Sequence, residues 1–125
     1  MKNPHTELKR ESLLALSASK AGVFWANETG VALAGKWTGE GWKLEQPIRP
    51  IKFGLLGSSD LFGILNGGFF FAGEIKTGKG KQTPQQKKFE NMVTDRGGLY
   101  IVIRDVETAV TDVLYFLKTI KEKNK

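Results

Sequence analysis

The tightest restriction on how this chain folds lies between Asp60 and Lys76. Two apolar runs, 60–65 and 69–76, flank Asn66-Gly67-Gly68. Asn followed by glycines is the chemistry of a turn whose residues take positive φ, so the segment predicts a β-hairpin. If all three residues form the turn, Leu65 faces Phe69, and counting back brings Asp60 opposite Glu74. A two-residue turn shifts the match by one place and leaves the two as diagonal neighbours. Directly opposed residues hold their Cβ atoms roughly 4.5–5.5 Å apart. Carboxylates at that spacing repel, and a proton or a hard divalent cation between them removes the cost. Glu74 and Lys76 lie two apart and leave the same face, while Ile75 enters the opposite layer. A Glu-x-Lys on a strand is most often an ordinary solvated face. Here Phe69, Phe70, Phe71, Ala72 and Ile75 describe a strand buried on much of both faces, where charged groups call for a purpose.

The rest of the chain supplies layers for this hairpin. Asn3 and Pro4 open a helix to Ser19, with Leu8, Leu13, Leu14 and Leu16 as its apolar face and Gly22 ending it. Val23-Phe24-Trp25 is an extended run leading to the turn composition Asn27-Glu28-Thr29-Gly30. From Val31 to Phe53 short strands alternate with turns. Gly39-Glu40-Gly41 reads as a hairpin between Trp37 and Trp42, and Pro47 and Pro50 bound a stretch that cannot be a central strand. Gly54 to Asp60 is a loop. Thr83-Pro84-Gln85-Gln86 starts a helix with a capping box, buries Phe89, Met92 and Val93, and stops at Gly97-Gly98. Leu99 to Ile103 is a buried strand. Asp105 opens the last helix, with Val106, Val110, Val113, Leu114, Leu117 and Ile120 inward, before a frayed basic tail at 121–125. This order predicts an α/β sandwich, a mixed β-sheet flanked by helices, as one domain over residues 1–125.

Composition narrows the chemistry. Cysteine is absent, and the one histidine, His5, lies near a chain end. Zinc sites and histidine-based catalysis are therefore not expected, and acid–base or metal chemistry falls to Asp, Glu and Lys. The net charge of +6, from 19 basic against 13 acidic residues, suits a polyanionic partner. No apolar run approaches the roughly 20 residues that span a bilayer. The polar start carries no secretory pattern, so a cytoplasmic location is expected.

The motifs, taken together, resemble a known family. Gly57-Ser58-Ser59-Asp60, the hairpin, Gly73-Glu74-Ile75-Lys76-Thr77, the basic Gly-rich loop 78–81 and Thr83-Pro84-Gln85-Gln86 resemble the VRR-NUC (virus-type replication–repair) nucleases of the PD-(D/E)XK superfamily. In that family Gly-x-Pro-Asp precedes Glu-x-Lys and then Ser/Thr-Pro-x-Gln. The resemblance runs from about Glu7 to Val106 and includes Asn27, Gly30 and Gly98 to Ile103. It implies a restriction-endonuclease-like core and a Mg²⁺- or Mn²⁺-dependent endonuclease acting on DNA. Asp60, Glu74 and the backbone carbonyl of Ile75 would be metal ligands, Lys76 the catalytic lysine, and Gln86 a site residue as well as a cap. Glu7 matches a first-helix glutamate, in preference to Glu11 one turn later. Asn27, Lys79 and Lys81 would meet DNA, although a solvated loop describes the lysines equally well. Small members resemble Holliday-junction resolvases, which implies branched DNA, a 5′-phosphate product and a homodimer.

Two positions depart from the pattern: Ser59 stands at the family's proline and Ala26 at its frequent arginine. Gly73 to Gly80 comes close to a P-loop but ends in glycine where Ser or Thr is required. Trp37 and Trp42 suit the core or a dimer interface better than base stacking. A non-catalytic DNA-binding subunit and a sequence-specific restriction-type nuclease are the competing readings.

Overall fold

The computed structural model describes residues 3–27, 31–33, 35–44, 46, 50–52 and 57–123. In chain order the elements are α1 (Pro4–Ala18), β1 (Gly22–Ala26), β2 (Val31–Leu33), β3 (Gly35–Trp37), β4 (Trp42–Leu44), β5 (Pro50–Lys52), β6 (Leu61–Leu65), β7 (Phe69–Ile75), α2 (Pro84–Asp95), β8 (Leu99–Ile103) and α3 (Val106–Lys123). The main sheet has the order β1-β6-β7-β8. Its first two pairings are antiparallel and β7–β8 is parallel, so the sheet is mixed. A parallel neighbour needs a crossover, and α2 supplies it.

The hairpin forms in the three-residue register. Leu65 pairs with Phe69, Gly68 N–H donates to Leu65 O at 2.8 Å, and Gly67 and Gly68 take φ of 96° and 91°. Asn66 does a second job. Its backbone N–H donates to Ala21 O and its side-chain amide to Lys20 O, which ties the turn to the connection between α1 and β1.

Period-two alternation sends residues of each strand to opposite layers. On the α1 and α3 side, Leu16, Phe24, Leu61, Leu65, Phe71, Ile75, Ile101, Ile103 and Val113 form the larger core. On the α2 side, Ala72, Phe89, Val93 and Tyr100 form a smaller one, with Phe62 and Val102 against it. Phe71 is fully buried and meets Phe24 edge-on at 5.2 Å between ring centroids. Truncating it leaves a cavity that the sheet cannot close, so Phe71→Ala should lower stability by about 3–5 kcal/mol in urea denaturation.

Several local expectations are corrected. Helix α1 is closed by Ser19, whose N–H reaches Ala15 O and Leu16 O, and Lys20 takes the left-handed conformation at φ 62°. Gly22 belongs to β1 instead, where an added Cβ would overlap Ile64 O. Leu14, Leu114 and Met92 face solvent, whereas Ser12 and Ala109 are buried. Small residues at buried positions escape a search for large apolar side chains. Lys121 and Lys123 sit in the last turn of α3, suited to the negative end of its dipole, so the helix continues where fraying was expected.

The hairpin at Gly39-Glu40-Gly41 exists, with Trp37 opposite Trp42 and their rings 5.9 Å apart, but both indoles are exposed and fill no core. Pro50 starts a strand that, among the described residues, pairs with β2 in a two-stranded sheet, which proline tolerates. Glu28 to Gly30, Pro47 and 53–56 lie outside the described residues. Among the described residues no helix is long and apolar enough to cross a membrane.

Candidate functional site

Continuing the β6–β7 register one step past Leu61–Gly73 brings Asp60 opposite Glu74. Asp60 is held from several directions. Its Oδ2 accepts the Ile75 N–H at 2.9 Å, and its backbone carbonyl accepts the Asn27 N–H at 2.8 Å. The Asn27 side-chain amide nitrogen donates to Ser58 Oγ at 2.9 Å and Ser59 O at 2.8 Å. Asn27, expected as a DNA contact, thus commits that nitrogen to clamping the loop that delivers Asp60. Ser59 is buried and held through this carbonyl.

Gly57 completes the delivery. At φ 79°, an added Cβ would stand 2.5 Å from the Gln85 backbone, so only glycine lets this loop lie against the start of α2. Gly57→Ala is expected to cost about 1–3 kcal/mol through its φ alone. Displacement of α2 adds to that loss, which thermal melts would read.

Glu74 projects beneath α2 and is 4% exposed. Its Oε1 accepts the Gln86 side-chain amide at 2.9 Å and lies 4.0 Å from Lys76 Nζ. Its Oε2 is buried without a hydrogen-bond partner. Gln86 also fills its expected capping role, since its Oε1 accepts the Thr83 N–H at 2.9 Å in a complete capping box. Lys76 extends β7 by one hydrogen bond, from its N–H to Ile103 O, and its side chain is mostly buried. Ile75 turns into the larger core and contributes its N–H to Asp60.

Burial pushes the Glu74 carboxyl up to about 8, with the nearby Asp60 carboxylate adding to the rise, while Lys76 opposes them. Near neutral pH this pair therefore holds either a proton or another cation. The residues fit a divalent cation: a buried orphan carboxylate oxygen beside a second carboxylate is hard-oxygen chemistry. Among the described residues, no three His, Cys, Asp or Glu side chains form a group that could hold an ion, so Glu7 is not brought into one with Asp60 and Glu74. Glu7 lines a cavity of about 270 Å³ with Asn3, Thr6 and Arg10, and Glu11 is exposed.

No protein-family model matches this chain, and no curated protein matches it significantly.

Three residues at or near the site were not anticipated. His5 Nε2 stands 3.5 Å from Asp60 Oδ2. His5, noted in the sequence only for lying near a chain end, thus comes close to Asp60, since Asn3 caps α1 so that its first turn reaches the hairpin's open end. Arg104 donates to Gly80 O at 2.7 Å and Gly78 O at 3.4 Å, and so pins the loop that displays the exposed Lys79 and Lys81. Tyr100 lies under α2, where burial raises its phenol against the pull of Gln82, which donates to its oxygen at 3.2 Å. No spacing rule joins these residues to Asp60 or Glu74. Gly73 and Glu74 are buried within β7, which leaves no backbone cradle of the P-loop kind.

Proposed function

We propose that this chain is a metal-dependent DNA endonuclease with a PD-(D/E)XK core of the VRR-NUC kind. The observation that carries this reading is buried Glu74, with one unpartnered oxygen, set opposite the half-buried Asp60 carboxylate and with Lys76 beside it. A solvated face would not be buried as Glu74 is.

Asp60, Glu74 and the Ile75 carbonyl would hold Mg²⁺ or Mn²⁺. When bound, the ion supplies Lewis-acid charge to the scissile phosphate and lowers the pKa of water. Gln86 restrains Glu74 by one oxygen and leaves the other for the ion. Lys76 orients the attacking water and offsets charge that grows on the phosphate oxygens. Attack in line with the leaving 3′-oxygen leaves a 5′-phosphate. Lys79 and Lys81, on the loop that Arg104 pins, would meet flanking phosphates, and the net charge of +6 would favour approach to DNA.

Branched DNA is the proposed substrate and a homodimer the proposed assembly. The second copy is supported by apolar surface that α2 leaves uncovered on its side of the sheet. There Val23, Trp25, Ile64 and Phe70 are exposed, an arrangement that marks interaction surfaces. Labelled DNA incubated with Mn²⁺ should be cut by the wild-type protein to ends that a DNA ligase can rejoin, and left intact by Asp60→Asn. Cutting by that variant at the wild-type rate would refute the assignment.

A further inference from the structure

We propose that His5 is a positioning residue through which α1 sets the Asp60 carboxylate, an inference that rests on reading Asp60 and Glu74 as cation ligands. His5 Nε2 is 3.5 Å from Asp60 Oδ2, the same oxygen that accepts the Ile75 N–H at 2.9 Å. Two elements thus address one oxygen, α1 with an imidazole and β7 with its backbone. A carboxylate restrained in this way resists rotation about its Cβ–Cγ bond. Its Oδ1 is then left to the ion.

The imidazole is itself placed by the helix start. Asn3 Oδ1 accepts the backbone N–H of His5 at 2.9 Å and of Thr6 at 3.3 Å, with Pro4 in the first turn. This fixes the first turn before any side chain reaches outward. Because His5 Nε2 faces the oxygen already held by the Ile75 N–H, its role is assigned to Asp60 and not to a further ligand position. Outer partners of metal-ligating groups typically change affinity by about 10–100-fold. The His5 side chain is 43% exposed, so its replacement leaves both cores untouched.

The test is calorimetric titration of Mn²⁺ into metal-free wild type, His5→Ala, His5→Gln and Asp60→Asn, with helix content checked by circular dichroism. His5→Ala should weaken binding by about 10–100-fold. His5→Gln, whose amide nitrogen reaches the place of Nε2, should recover most of that loss, and Asp60→Asn should abolish binding. Pulsed electron paramagnetic resonance of bound Mn²⁺ should show no imidazole nitrogen coupling. Wild-type affinity in His5→Ala, failure of His5→Gln to recover, or a nitrogen coupling that disappears in His5→Ala would each overturn the role given to His5. Those outcomes leave the site reading standing. Undiminished binding by Asp60→Asn would remove the site reading itself.

Discussion

Replacing Lys76 with alanine is expected to lower the DNA cleavage rate by at least about 10²–10³-fold, the loss typical of removing one preorganised charge-stabilising donor. The side chain is mostly buried at the end of β7, with Nζ 4.0 Å from Glu74 Oε1. Nothing else near the Glu74 carboxylate carries positive charge among the groups that shift its titration. The Lys76 backbone N–H bonds to Ile103 O and survives the substitution, so β7–β8 pairing and folding should persist. Binding of DNA should change little, because Lys79 and Lys81 lie on the exposed loop beyond. The check is single-turnover cleavage beside a binding isotherm for the same DNA. A rate within a few-fold of wild type would remove Lys76 from the mechanism. Equal loss of binding and cleavage would make it a substrate-binding residue.

The second large effect concerns pH. Glu74 is raised from an ordinary 4.5 to about 8 in the folded protein. The folded state therefore keeps a proton that the unfolded state gives up between those values. This contribution to stability is fully present below about pH 4.5 and is lost as pH rises through about 8. Without metal, stability should fall across that window by at most about 1.4 kcal/mol per pH unit. Glu74→Gln keeps an oxygen for Gln86 and carries no charge, so its metal-free stability should be nearly flat over the same window and higher than wild type at pH 8. If the site takes Mn²⁺ as proposed, the ion would replace the proton in the wild type and should restore its stability at high pH, with no such effect in Glu74→Gln. Urea denaturation from pH 5 to 9, with EDTA and with Mn²⁺, separates these cases. A wild-type profile that rises with pH in EDTA would contradict the assigned charge state of the pair.

How much of this was legible in the sequence depends on the range of each interaction. The hairpin register could be read because Asn66-Gly67-Gly68 is local turn chemistry and strand alternation follows by counting. The start of α2 could be read because Thr83, Pro84 and Gln86 are adjacent signals. That Gln86 also bonds to Glu74 is a meeting of separate elements, which local pattern did not show. His5 and Asp60 are brought together by the packing of α1, a contact with no sequence period. The same holds for Arg104 on the Gly78 and Gly80 carbonyls. Helical periodicity overcounted the buried faces, since Leu14 and Leu114 share apolar stripes wider than the surface that covers them. It also passed over Ser12 and Ala109, whose small side chains are buried in the same two helices. Gly22 showed the same ambiguity on the backbone: a glycine after a helix suggests its stop, yet here close approach to Ile64 requires it.

The most direct test of the central claim is cleavage of end-labelled four-way junction, flap and linear duplex DNA by the wild-type protein in Mg²⁺ or Mn²⁺, with EDTA as control. Metal-dependent cutting is expected, strongest on a branched substrate and absent with EDTA. Tight binding of these DNAs with no cutting in either metal would contradict the account and favour a non-catalytic DNA-binding subunit built on the same fold.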